Sequence, residues 1–396
     1  MANTLQALLD LPQAEKVERG LQHTPREVEQ QPETWKATYR HCRSLQPALS
    51  DALRRAGVGS GRGSPVVYLV GAGTSDYVGR ALAPLLRERW GCEAWPIPST
   101  TLLTDFEQYH RHGQPYLWIS FSRSGDSPEG VALLASVLER HPEIQHLVIT
   151  CNRHGHMAEL GSLHEARALA LILDDAVNDR GLAMTSSFTN MVVAGQCIAN
   201  VHAMPEYGDL LAQMVDAGTE FLPAAAEVAA RIAAQDCTRA CFVGSSALRA
   251  AAEESALKLA ELSAGKVATM AESPLGLRHG PLSSIDGKTL FVAFVSSDPR
   301  LRGYEIDLLE EVSRKRLGRV RAVVTAGSSK DVSALADHCL TLNDMDRIPD
   351  LYRPTLDVMF GQLLGLFTSL KHGLKPDHPS PNGAITRVVA PIRLYS

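Results

Sequence analysis

The sequence predicts an α/β protein of two tandem, doubly wound domains, each a parallel sheet flanked by helices, behind a helical N-terminal arm. From Val66 onward, short apolar runs of strand length alternate with helical segments, the pattern of a parallel sheet covered by helices. The strand ends then repeat: Val243-Gly244-Ser245-Ser246 echoes Val70-Gly71-Ala72-Gly73, Leu290–Ser296 echoes Tyr116–Ser122, and Val323-Val324-Thr325 echoes Val148-Ile149-Thr150. Gly71 to Gly244, Ser120 to Val295 and Thr150 to Thr325 span 173, 175 and 175 residues. A near-constant offset at three strand ends marks a duplicated domain.

Residues 1–60 contain no strand-like run and form the arm. Within them His23-Thr24-Pro25-Arg26-Glu27 offers a capping box, with Thr24 as N-cap, Pro25 at the first helical position and Glu27 at the third. Ser60-Gly61-Arg62-Gly63-Ser64-Pro65 is a turn-rich break that opens the first domain, 61–205. Its strands are Val66–Val70, Ala94–Pro98, Tyr116–Phe121, Gln145–Thr150 and Ala168–Leu173, followed by a long helix near Ser187–Ala203. A helical linker, 206–236, leads to the second domain, 237–375, which opens on the strand Ala240–Val243. Residues 376–396 begin Pro376-Asp377-His378-Pro379-Ser380-Pro381-Asn382-Gly383, too rich in proline for regular structure, and read as a tail.

Composition narrows the class. At 396 residues, 45% hydrophobic and 21% charged, the chain is long and apolar enough for two cores. Lys and Arg number 39 against 44 Asp and Glu, a net charge of −5 that leaves no basic surplus for a nucleic-acid partner. No run approaches the ~18 apolar residues of a membrane span, and the first residues carry charges where a signal peptide needs an apolar core. A cytoplasmic location is expected. Cysteines 42, 92, 151, 197, 237, 241 and 339 include no C-x-x-C pair or zinc-ligand spacing and read as reduced thiols. His110, His112, His154 and His156 make no H-E-x-x-H or comparable cluster and read as surface residues.

Ligands of open parallel sheets sit beyond the carboxyl ends of the strands. Two strand-to-helix turns there suit an anion: Gly71-Ala72-Gly73-Thr74-Ser75-Asp76, and Ser120-Phe121-Ser122-Arg123-Ser124-Gly125-Asp126-Ser127-Pro128. Each presents unpaired backbone N–H groups and a positive helix end, and the hydroxyls add donors without bulk. A lone serine would read as a helix cap, as Ser127-Pro128 could. Three hydroxyls within six residues, opposite a second Gly-Thr-Ser turn, favour a phosphate monoester instead. A dinucleotide site is disfavoured, because Asp76 stands where the third glycine would and the second strand ends Ile97-Pro98-Ser99 without a ribose-binding acid. No P-loop is present.

Strand-Gly-x-Gly-Thr-Ser, followed by strand-Ser-x-Ser-Gly-Asp-Ser, resembles the SIS (sugar isomerase) domain, and the tandem copy is similar to the isomerase half of glucosamine-6-phosphate synthase. The blocks Ala256-Leu257-Lys258-Leu259-Ala260-Glu261-Leu262 and Leu277-Arg278-His279-Gly280-Pro281 sharpen the match. Gln30–Trp35, Ser273–Pro281 and Arg387-Val388-Val389 look most like the galactosamine-6-phosphate deaminase/isomerase subgroup, also labelled tagatose-6-phosphate ketose/aldose isomerase. The resemblance implies that Ser75, Ser122, Ser124 and Ser127 surround a sugar phosphate, with Thr74 and the Arg123 backbone beside them. It implies that Glu261 moves a proton between C1 and C2. It further implies that His279 opens the sugar ring from a neighbouring subunit, hence a homodimer with shared sites. The synthase's tail lysine is missing. Arg387 is the candidate replacement, although a guanidinium cannot form a Schiff base. Arg123 replaces the usual glutamine of the phosphate loop. No cofactor or metal is implied.

The residues supply the parts independently. Glu254, Lys258 and Glu261 fall at i, i+4 and i+7 and share a helix face, and a surface Glu–Lys pair is the bland alternative. Lys258 and Arg387 are placed to support developing negative charge. The reading that follows is a deaminase that converts galactosamine 6-phosphate to tagatose 6-phosphate and ammonia. Plain aldose–ketose isomerisation and non-catalytic sugar-phosphate sensing are the alternatives.

Overall fold

The computed structural model describes residues 4–59, 63–327 and 329–395; the Ser60–Arg62 part of the turn-rich break lies outside the described residues. The chain forms two compact units, each drawn from separated stretches. One comprises 34–178, 186–209 and the segment from Ile385 onward; the other comprises the segment through Glu33, 179–185 and 210–384. This interleaving differs from the contiguous arm, domain, linker, domain and tail read from the sequence. Long-range hydrogen bonds, described below, divide the arm after Glu33.

The arm begins with α1 (Thr4–Leu9), α2 (Gln13–Arg19) and α3 (Thr24–Glu29) in the second unit. The capping box does not form. His23 is the N-cap of α3, without a side-chain bond, and Thr24 donates its hydroxyl to Asp377 Oδ1 at 2.8 Å. The same carboxylate accepts the N–H groups of Gln22 at 2.7 Å and Thr24 at 2.8 Å, so a remote acid supplies the cap. Glu27 accepts from the N–H groups of Arg180 and Gly181 instead of reaching back. The local motif yields because these residues find buried partners elsewhere.

Helix α4 (Gln31–Ser44), which enters the first unit at Thr34, and α5 (Gln46–Arg55) precede the sheet. Trp35 Nε1 donates to Thr189 at 3.0 Å and Thr38 to Asn190 at 2.7 Å, tying α4 to the wholly buried helix α10 (Ser186–Ala199). The elements continue β1 (Val66–Gly71), α6 (Thr74–Trp90), β2 (Ala94–Pro98), α7 (Ser99–Tyr109), β3 (Tyr116–Ser122), α8 (Pro128–Arg140), β4 (Ile144–Thr150), α9 (His156–Leu163), β5 (Ala168–Ile172) and α10 (Ser186–Ala199). All strand pairs are parallel, in the order β2-β1-β3-β4-β5. Tyr68, Val70, Trp118, Leu133 and Val137 belong to the core between the sheet and its helices, the apolar burial that holds such layers together.

Helix α11 (Met204–Ala233) crosses into the second unit. There follow β6 (Arg239–Gly244), α12 (Ala247–Leu262), β7 (Ala268–Glu272), α13 (Pro274–Leu277), β8 (Thr289–Val295), α14 (Pro299–Arg314), β9 (Val320–Ala326), β10 (His338–Leu342) and α15 (Pro354–Lys371). The order β7-β6-β8-β9-β10 repeats that of the first sheet. Register revises one offset. Val70 pairs with Ser120 and Val243 with Ala293, so Val295 is the counterpart of Ser122, 173 residues away, rather than of Ser120. Ser122 pairs with Thr150 and Val295 with Thr325, so the third offset stays at 175 and the two extra residues lie in the β8-to-β9 connection.

Helices α12 and α15 approach closely because α15 carries glycines. A Cβ on Gly361 would come within 2.2 Å of Ser255 Oγ, and one on Gly365 within 3.0 Å of the Lys258 carbonyl oxygen. This contact sets the face of α12 that carries Lys258 and Glu261. All seven cysteines are free thiols.

Candidate active site

In a sheet of order 2-1-3-4-5 the connections from the two central strands leave in opposite directions, and a crevice opens between their carboxyl ends. In the first unit that crevice lies between β1 and β3. A cleft there is lined by Gly71, Ala72, Ser75, Ser99, Ser122 and Ser127 over an apolar floor that includes Trp118, Leu133 and Met157. Gly71 is required by close approach, since a Cβ would meet the Ser75 carbonyl group at 2.4 Å. Gly73 holds φ +55° and ψ −126°, in the region that favours glycine. Residues from the first turns of α6, α7 and α8 line the cleft together. Their N–H groups and positive dipole ends suit an anion.

The second turn is shaped by its own hydroxyls. Ser122 Oγ accepts from Gly125 N–H at 3.0 Å and Ser124 Oγ from Asp126 N–H at 3.1 Å. Asn152 Nδ2 donates to the Ser124 carbonyl at 2.8 Å. Each serine that accepts in this way keeps a hydroxyl proton to donate. Ser127 occupies the N-cap position of α8 without a side-chain capping bond. Ser75, Ser122 and Ser127 thus line one cleft, whereas Thr74, Arg123 and Ser124 are buried in the turns and do not line it. Arg123 Nη2 donates to the Arg387 carbonyl, and Arg387 Nη2 donates to Asn178 Oδ1 at 2.5 Å. The tail segment bearing Arg387 is therefore fastened to the serine-rich turn.

In the second unit the corresponding turn is filled by the chain itself. Ser296 and Ser297 follow β8 as Arg123 and Ser124 follow β3. Ser296 donates its hydroxyl to Asp350, the Ser297 N–H lies 3.1 Å from both Asp350 oxygens, and Arg353 Nη1 donates to Asp350 at 2.8 Å. Arg353 is fully buried and also pairs with Asp357 at 2.8 Å. A hydroxyl, an N–H and a guanidinium, the donors an anion would use, hold a carboxylate instead.

The same unit carries Lys258, Glu261 and His279. On α12, Lys258 is wholly buried, with Nζ 2.5 Å from Glu261 Oε2 and 3.4 Å from Glu254 Oε1. Glu261 keeps about a quarter of its side chain exposed (23%), so the carboxylate is reachable while its ammonium partner is not. Lys258 therefore acts on Glu261 directly, and the solvated surface pair of the sequence analysis is ruled out. His279 sits in the turn after α13, exposed, before Gly280 at φ +127°. Ser273 caps α13 by accepting from Gly276 N–H, and Arg278 Nε donates to Glu311 at 2.9 Å, which pins the turn and leaves the imidazole outward.

Sequence reasoning missed Ser99, Asn152 and Asn178. Ser99 opens α7 directly after β2, the position inspected only for a missing ribose acid; a hydroxyl at a strand-to-helix junction was the available signal. Asn178 has no local signal, since its partner lies 209 residues away. The histidines also need correction: His110 is largely buried and faces His141 and Glu143, a grouping invisible in sequence because its members come from different helix ends.

Two parallel sheets of one strand order, with a serine-lined crevice at the switch point, define a tandem SIS protein. D-galactosamine-6-phosphate deaminase AgaS of Escherichia coli is 34% identical over 373 residues, 94% of this chain and 95% of that one. The solved structure of tagatose-6-phosphate ketose/aldose isomerase from Escherichia coli superposes with a TM-score of 0.83 at 34% identity, covering 90% of this chain and 94% of that one. A Clostridium novyi structure superposes with a TM-score of 0.91 at 30% identity over 96% of each chain. No family model matches the chain. The chain belongs to the AgaS family. Among the described residues no helix is long and apolar enough to cross a membrane.

Proposed function

We propose that the protein is a deaminating isomerase that converts galactosamine 6-phosphate and water to tagatose 6-phosphate and ammonia, acting in the cytoplasm as a homodimer. The observation that carries the reading is the pairing of partly exposed Glu261 with buried Lys258, a candidate base in direct contact with a fixed amine. The name of the Escherichia coli relative supports the same reading.

In this scheme the phosphate is held at Ser75, Ser122 and Ser127, with Thr74, Arg123 and Ser124 shaping the turns. His279, contributed by the partner subunit, assists ring opening. Glu261 removes the C2 proton to give an enolamine and returns a proton at C1, leaving an imine at C2. Water adds to that carbon and ammonia leaves, which balances the reaction. Lys258 gives electrostatic support to the negative charge that develops. Arg387, held by Asn178, closes the tail over the phosphate turn.

Plain aldose–ketose isomerisation is the second reading, favoured by the name of the solved Escherichia coli structure. Ammonia release separates the two. Galactosamine 6-phosphate and glucosamine 6-phosphate are incubated in parallel, with ammonia and ketose 6-phosphate quantified in the same samples. Equal amounts of both products from the galacto epimer are expected, and no ammonia from either sugar overturns the deaminase.

A further inference from the structure

At the other end of the first sheet three metal-ligating side chains converge. His110 is the C-cap of α7, His141 is the C-cap of α8, and Glu143 lies just before β4. These positions precede the starts of β3 and β4, whereas the serine-lined cleft lies beyond the far ends of β1 and β3. His110 Nε2 lies 3.0 Å and His141 Nδ1 3.3 Å from the same oxygen, Glu143 Oε1. The three ligand atoms all fall within 4.8 Å of one another. The His110 side chain is only 5% exposed and is held by a stack on Phe106, ring centroids 5.2 Å apart. Phe106 also meets the His141 ring at 4.5 Å, so one aromatic side chain orients both imidazoles.

Donor atoms bound to zinc at about 2.0–2.1 Å in tetrahedral geometry stand about 3.3 Å apart. Two of the three donor separations here already match, and the third is within 4.8 Å. Helix C-termini favour cations, and α7 and α8 both end at this point.

We propose that His110, His141 and Glu143 bind a divalent cation of the zinc class, with water or His112 as fourth ligand. The His112 ring lies 5.5 Å from that of His110. Two imidazoles select zinc, cobalt or nickel over magnesium and calcium, which prefer oxygen donors. The ion joins the ends of two helices to the starts of two strands, and its effect is on the stability of the first unit.

The test uses the full chain after chelator treatment. Zinc affinity is measured by competition with a chromophoric chelator, cobalt binding by its visible absorption, and stability by thermal unfolding. The expected result is one high-affinity ion per chain, a rise in Tm with zinc and none with magnesium. Glu143→Gln and His141→Ala should each weaken zinc binding at least about tenfold and remove the cobalt band. Glu143→Gln changes an exposed residue conservatively, so its fold is retained. Absence of zinc binding in the wild type, equal binding in the variants, or an equal effect of magnesium overturns the proposal.

Discussion

The backbone of Ser246 repeats that of Gly73: φ 52° and ψ −127° at the serine, φ 55° and ψ −126° at the glycine. The duplicated turn has kept its conformation while losing the residue that adopts it without strain, which costs of order 1–3 kcal/mol. Ser246→Gly should therefore stabilise the protein by about 1 kcal/mol, read as a rise in Tm. Gly71→Ala should do the opposite and more strongly, because its Cβ meets the Ser75 backbone at 2.4 Å; an unchanged Tm and unchanged phosphate affinity in that variant would refute the close-approach argument.

On the proposed reaction, Glu261→Gln should lower kcat by at least about 100-fold while sugar-phosphate binding stays near wild type. Lys258→Met removes the cation but not the base, so a smaller loss in kcat is expected. Ser124→Ala, which removes the oxygen that accepts from Asp126 N–H and shapes the turn, should chiefly raise KM. Steady-state kinetics of the three variants, with binding measured by calorimetry, separate these roles.

Asp350→Ala would leave the Ser296 hydroxyl, the Ser297 N–H and the buried Arg353 short of a partner. A loss of about 3 kcal/mol is expected. Millimolar inorganic phosphate should raise the Tm of this variant more than that of the wild type, since it restores an anion to the vacated donors. Equal shifts in both proteins would show that the turn cannot hold one.

Burial, with Asp179 adding repulsion, pushes the Glu27 carboxyl up from 4.5 to about 8. Between those values the folded chain keeps a proton that the unfolded chain releases, so this group lowers stability as pH rises through the window, by at most about 1.4 kcal/mol per pH unit. Glu27→Gln preserves the shape and an oxygen to accept from Arg180 and Gly181. Its Tm advantage over the wild type should widen from about pH 5 to pH 8; a constant difference would mean that Glu27 titrates alike in both states.

The strands and the two glycine- and serine-rich turns of the first unit were legible because both rest on local rules, apolar runs of strand length and the glycine–hydroxyl chemistry of a strand-to-helix junction. Lys258 and Glu261 were legible as sharing a face, but the burial of Lys258 was not, because it depends on Gly361 and Gly365 of a helix a hundred residues on. The capping box at Thr24 failed for the same kind of reason: Asp377 competes for those donors and leaves no mark near them in the sequence. Asp350 in the second turn and Glu143 between two histidines are likewise products of distant chain segments meeting.

The Asp377 cap also orders events in time. A chain grows from its N-terminus at about 5–20 residues per second, so Gln22, His23 and Thr24 emerge long before the carboxylate that accepts their N–H groups at the start of α3. The N-terminal cap of α3 is therefore completed only once Asp377 has been made. Until then these residues belong to an exposed segment that a chaperone can hold or a protease can cut.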